Sequence, residues 1–163
     1  YIVDLNVYIS LLGRSVWASL NTYYAVLDET NFQPEIIWIV TESLYEECLP
    51  SLLDGYDVIS TSFNIKPNIK TVILPEGNIS EAGIEVRGLV DSYTKEDVVA
   101  LDITSARKAL VAGALLATAD NKPTHIFYLK IDSLDDSAKP YLMIPHQIQT
   151  LHDFRAETRR PPR

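Results

Sequence analysis

Val98-Val99-Ala100-Leu101-Asp102-Ile103, followed at once by Thr104-Ser105-Ala106-Arg107-Lys108, decides the reading of the fold. An apolar, β-branched run stops at two hydroxyl residues, and an Ala- and Leu-rich run begins after two cations. That is a buried strand giving way to a helix. The same grammar repeats on either side. Asn6–Leu12 reads as a strand, Gly13-Arg14 as a turn and Ser15–Asp28 as an amphipathic helix with Val16, Leu20, Tyr23, Tyr24 and Leu27 on one face. Ile36–Val40 carries no polar residue, as a strand buried on both faces should. Ser43 and Glu46 have capping-box spacing and predict a second helix, interrupted at Pro50 and ended at Gly55. Thr71–Leu74 is a third strand. Asn78 with Glu81 opens a third helix, and Thr104 or Ser105 caps a fourth that runs to about Ala119 and is buried on more than one side. His125–Ile131 and Tyr141–Ile144 are read as a final antiparallel strand pair joined by the acidic loop Asp132–Lys139.

Alternating strands and helices predict an α/β fold, a Rossmann-like three-layer sandwich. The central sheet is mainly parallel, with helices on both faces and an antiparallel C-terminal strand pair. Residues 1–154 form one domain in this reading. Residues 155–163, with four Arg and two Pro, form a tail expected to be disordered.

The chain has 163 residues, 47% of them hydrophobic, a size and composition that fit one folded domain and exclude wholesale disorder. The longest apolar stretch, around Leu110–Ala119, falls short of the ~18 residues that argue a membrane span. One cysteine, Cys48, excludes a disulfide scaffold and a multi-cysteine zinc site. With no leader visible, a cytoplasmic domain is expected. The chain opens on Tyr, so it is expected to be a piece of a longer protein whose effector or membrane anchor is missing. The net charge of −8 argues against general binding of duplex DNA, because phosphate neutralisation needs clustered cations. A single small anion held by a local cluster remains compatible with it.

Two such clusters stand at strand-to-helix transitions, where open α/β sheets bind their ligands. One is Leu12-Gly13-Arg14-Ser15. The other is Asp102, Thr104, Ser105, Ala106, Arg107 and Lys108. Cations at a helix N-terminus oppose the helix dipole, and a bound anion resolves the conflict. Each loop alone reads equally well as a turn with an N-cap and solvated charges. The pair points to anion binding. G-x-G-x-x-G and the P-loop motif are absent, and His125, His146 and His152 lack metal-ligand spacing. No cofactor or metal is expected.

Ile9–Ser15 resembles the first-strand motif of CARF domains, the CRISPR-associated Rossmann folds, and Leu101–Leu110 resembles their second motif. That motif is an Asp, a hydroxyl residue, a small residue and Arg-Lys opening an apolar helix. Ala106 stands where the family often has glycine. Trp38–Glu42 fits the family's second strand. The resemblance implies a homodimer, or a higher homo-oligomer, that senses a cyclic oligoadenylate in type III CRISPR antiviral defence. Cyclic tetra-adenylate is the ring it most favours. The ring would sit in a pocket shared across the two-fold axis and switch an attached effector. The two loops would line the walls, and Thr41 and Glu42 would reach adenine. The resemblance also leaves open a ring nuclease, in which Ser15 would position a ribose 2′-hydroxyl and Lys108 would stabilise developing charge. A second alternative is a metal-dependent PIN-type ribonuclease, suggested by the opening Asp4-Leu5-Asn6-Val7. It would draw its carboxylates from Asp4, Glu42, Asp97, Asp102 and Asp120.

Overall fold

The computed structural model describes residues 4–118 and 122–159, except the side chain of Ile79. Six strands form one sheet in the order β3-β2-β1-β4-β5-β6. They are β1 (Asn6–Leu12), β2 (Ile36–Glu42), β3 (Asn68–Leu74), β4 (Val98–Asp102), β5 (His125–Ile131) and β6 (Gln149–Asp153). All pairings are parallel except β5 with β6. The order reverses between β1 and β4, and a parallel α/β sheet opens a crevice at that switch point.

The alternation of side chains along β1 fills both faces. Val7, Ile9 and Leu11 join Val99, Leu101 and Val40 in a core roofed by α3 (Ile79–Asp91) and α4 (Lys108–Ala117). Tyr8 and Leu12 join Ile37, Ile39 and Ala100 beneath α1 (Val16–Glu29) and α2 (Leu49–Ser62). A continuous apolar run is what a strand covered twice requires.

Several elements differ from expectation. Ser43–Cys48 is a 3-10 segment, and α2 starts beyond it with Pro50 in its first turn, where the missing N–H costs nothing. Gly55 lies inside α2 rather than ending it. A Cβ there would meet the Leu20 side chain at 2.5 Å, so the glycine permits close packing of α1 on α2. Tyr141–Ile144 is not a strand: Tyr141–Met143 is a 3-10 turn after Pro140, and the antiparallel partner of β5 is Gln149–Asp153. Neither Thr104 nor Ser105 caps α4. The helix begins at Lys108, with Arg107 at the cap position and no side-chain cap bond. It is buried through Leu110, Gly113 and Ala114 only, and Leu116 stands 82% exposed. Past β6, α5 (Phe154–Thr158) extends into the expected tail, and Arg155 donates to the carbonyls of Thr118, Lys122 and Pro123. Residues 160–163 of that tail lie outside the described residues.

Candidate anion site at the switch point

β1 and β4 run side by side with Ser10 opposite Asp102, so the loops that follow them leave the sheet together. Ser105 joins them. Its Oγ accepts the Gly13 N–H at 3.1 Å and donates to the Ser15 carbonyl at 2.7 Å. Gly13 permits the approach, because a Cβ there would stand 2.3 Å from the Ser105 carbonyl oxygen. Two segments 90 to 92 residues apart in sequence thereby become one wall.

Thr104 anchors the second loop from below. Its Oγ1 accepts from the Thr22 hydroxyl at 2.9 Å and from the Leu129 N–H at 3.1 Å. Its own N–H donates to Asp102 Oδ1 at 2.9 Å. The hydroxyls that sequence spacing assigns to capping α4 are therefore taken by distant partners. The N–H groups of its first turn are left without a side-chain acceptor.

Asp102 is fully buried, and among the described residues its Oδ2 has no hydrogen-bond partner. Burial pushes its carboxyl up to about 7, while the Thr104 donors and the Tyr8 hydroxyl pull the other way. Around it on the α1 side lies a polar cluster that sequence reading missed. The Tyr56 hydroxyl donates to Ser10 Oγ at 2.8 Å, Tyr23 and Ser60 share a bond of 2.6 Å, and Tyr8 is wholly buried. Burial pushes all three tyrosines up. The period-two position of Ser10 among apolar residues was the available signal.

The predicted site residues separate into three groups by burial. Leu12, Gly13, Thr41, Glu42 and Asp102 are buried. Thr41 Oγ1 donates to the Leu12 carbonyl at 3.2 Å, tying the end of β2 to the end of β1. The Thr41 hydroxyl is thus engaged inside the sheet. Arg14, Ser15, Arg107 and Lys108 are exposed, and Thr104, Ser105 and Ala106 are half-buried. Ser15 caps α1 by accepting the Ala18 N–H at 3.1 Å, which leaves its O–H free to donate. Among the described residues Arg14 and Lys108 have no ion-pair partner. Arg107 does: its Nε donates to Glu42 Oε2 at 2.8 Å and its Nη2 to Glu42 Oε1.

Beside Lys108 a depression of about 500 Å³ runs between Thr104, Ala106, the α4 residues Val111 and Leu115, and the rings of Tyr128 and Phe154. Those two rings stack at 5.9 Å. A second cavity, about 490 Å³, lies at the amino end of the sheet against Phe32, Phe127 and His125, whose Nδ1 is 2.7 Å from Asp153. None of the predicted residues lines it.

Among the described residues, the carboxylate set of the nuclease alternative is not assembled. Asp4 and Asp97 stand before the amino ends of β1 and β4, while Glu42 and Asp102 stand at carboxyl ends, roughly 20 Å away along a seven-residue strand. Asp97 is occupied with the Leu5 and Thr94 N–H groups, and Asp120 lies outside the described residues. Among the described residues, no three acidic, His or Cys side chains gather as a metal set, and no helix is long and apolar enough to cross a membrane.

No family model matches the sequence, and no curated protein matches it. Among solved structures, the chain is similar to a type III CRISPR defence DNA nuclease activated by cyclic oligoadenylate, with a TM-score of 0.53 and 18% identity. The match covers 80% of this chain and 19% of that one, so this chain spans about a fifth of its neighbour's length. The likeness is one of fold.

Proposed function

We propose that this chain is a sensor domain that binds a cyclic oligoadenylate, cyclic tetra-adenylate above the other rings, and relays occupancy to an attached effector in type III CRISPR defence. The observation that carries the reading is the joined wall at the switch point. Ser105 locks the two loops together, and beside them stand Arg14, Arg107, Lys108 and the uncapped N-terminus of α4. Free N–H donors at a helix start, with two unpaired cations, form a phosphate-binding arrangement on a chain whose net charge is −8. The solved neighbour of like fold is itself activated by cyclic oligoadenylate, which supports the same ligand class here.

A ring of this kind has a two-fold axis, and a homodimer would present the wall twice. The exposed Leu116 and the apolar depression along α4 supply a surface for such pairing. In the mechanism, Lys108 and Arg14 offset phosphate charge, the α4 N–H groups bond phosphate oxygens, and Ser15 donates to a ribose or phosphate oxygen. The buried layer of Leu12, Thr41 and Asp102 holds the strand ends rigid beneath. The effector, or a membrane anchor, would lie outside this chain.

The test is calorimetric titration with cyclic tetra-adenylate, followed by chromatography of the mixture. A sensor binds the ring and returns it intact. Linear fragments would instead assign Ser15 and Lys108 the work of a ring nuclease. No binding of four- or six-membered rings would overturn the reading.

A further inference from the structure

Arg107 is gripped along one edge. A guanidinium carries five N–H donors in a fixed plane. Glu42 takes the Nε donor and one on Nη2, leaving two on Nη1 and one on Nη2. The two partners are unequally placed. The Glu42 side chain is 8% exposed and that of Arg107 39% exposed. Glu42 ends β2, where it pairs in register with Leu74 while Thr41 is bonded to the Leu12 carbonyl. Arg107 belongs to the loop before α4. A rigid strand end thus holds the side chain of a loop residue, and the hydrogen bonds to Glu42, with its opposite charge, raise the Arg107 pKa above its ordinary value.

We infer that Glu42 is a positioning residue for the ring: it holds the Arg107 fork so that its three remaining donors face the ligand. This rests on the sensor reading above. It replaces a contact between Glu42 and adenine with one made through Arg107. Pairing cancels the charge of Arg107, so its contribution to binding is directional hydrogen bonding, while the unpaired Arg14 and Lys108 supply the net attraction. An arginine held in place is also spared the ordering cost that a free side chain meets on binding, which corresponds to about threefold to tenfold in affinity. A ring bridging two chains meets two such arginines, so the factor squares to about tenfold to a hundredfold.

The sign of one substitution separates this role from a merely repulsive carboxylate. Removing a negative charge beside an anionic ligand tightens binding on electrostatic grounds alone. Positioning predicts the reverse. Cyclic tetra-adenylate affinity is measured for the wild type, Glu42→Gln, Glu42→Ala, Arg107→Ala and the Glu42→Ala/Arg107→Ala double variant. Glu42→Ala is expected to bind about tenfold or more weakly. Glu42→Gln keeps the shape and one acceptor oxygen, and should recover part of that loss. In the Arg107→Ala background, Glu42→Ala should weaken binding no further, which a general loss of structure would not produce. Unchanged or tighter binding by Glu42→Ala, or an equal loss in both backgrounds, would overturn the positioning role while the sensor reading stands. Absence of ring binding by the wild type would overturn both.

Discussion

Gly13→Ala tests the joint between the loops. The added methyl would sit 2.3 Å from the Ser105 carbonyl oxygen and 3.0 Å from the Ala106 Cα, both backbone atoms, where ordinary contacts begin at 3.4 Å. Relief therefore requires the loops to separate by about 1 Å, because neither atom can rotate away. That movement stretches the 3.1 Å bond from the Gly13 N–H to Ser105 Oγ beyond hydrogen-bond range. Overpacking of this kind costs about 1–3 kcal/mol, and a lost bond about 1 kcal/mol more. For a domain of this size the sum, about 2–4 kcal/mol, lowers Tm by about 4–16 °C. Urea denaturation and thermal melting measure the stability, and ring titration measures the site, which should weaken as the wall opens. The control is Gly88→Ala on the exposed face of α3, whose Cβ meets nothing within 4 Å. It should gain about 0.5–1 kcal/mol from helix propensity. A Gly13→Ala protein with the stability and ring affinity of the wild type would refute the close approach and the wall built on it.

Three other perturbations follow from the same geometry. Asp102 has a folded-state pKa raised from 3.8 to about 7 by burial, so the folded chain holds its proton more tightly than the unfolded chain. Stability should be greatest below pH 4 as far as this group is concerned. It should fall by on the order of 3–4 kcal/mol between pH 4 and 7, a slope absent from Asp102→Asn in denaturation at a series of pH values. Thr104→Val leaves the Leu129 N–H without its acceptor and breaks the link to the Thr22 hydroxyl, which keeps the Ala18 carbonyl at 2.7 Å. It should lose about 1–3 kcal/mol in urea unfolding, and stability equal to the wild type would count against the anchoring role. Lys108→Ala should weaken ring binding about tenfold and flatten its salt dependence. Arg107→Ala should weaken it too and also flatten the salt dependence, because it leaves the Glu42 carboxylate uncompensated, and only the Glu42→Ala/Arg107→Ala double variant should restore the salt slope.

What the sequence carried and what it hid follow from range. Ile36–Val40 and Val98–Leu101 are legible as strands because burial on both faces leaves no polar residue to interrupt them. Asn78 is legible as a cap because its partner, the Glu81 N–H, is three residues away. Thr104 and Ser105 have the same local grammar, but their hydroxyls meet Thr22, Leu129, Gly13 and Ser15, and no local spacing reports partners so distant. The last strand was misplaced for a related reason. Tyr-Leu-Met-Ile looks like a strand, yet it lies between Pro140 and Pro145 and turns as a 3-10 segment. The true edge strand, Gln149–Asp153, is half-exposed and mixed in polarity, so its pattern is faint. Both basic loops were visible in the sequence. That one of their cations is held by Glu42, 65 residues earlier in the chain, was not.

Native mass spectrometry of the chain with cyclic tetra-adenylate tests the central claim most directly. Each chain weighs 18.3 kDa. The account predicts one ring on a pair of chains, surviving at salt near physiological strength, with the ring recovered unbroken. Chains that remain free of both four- and six-membered rings at high ligand concentration would contradict it.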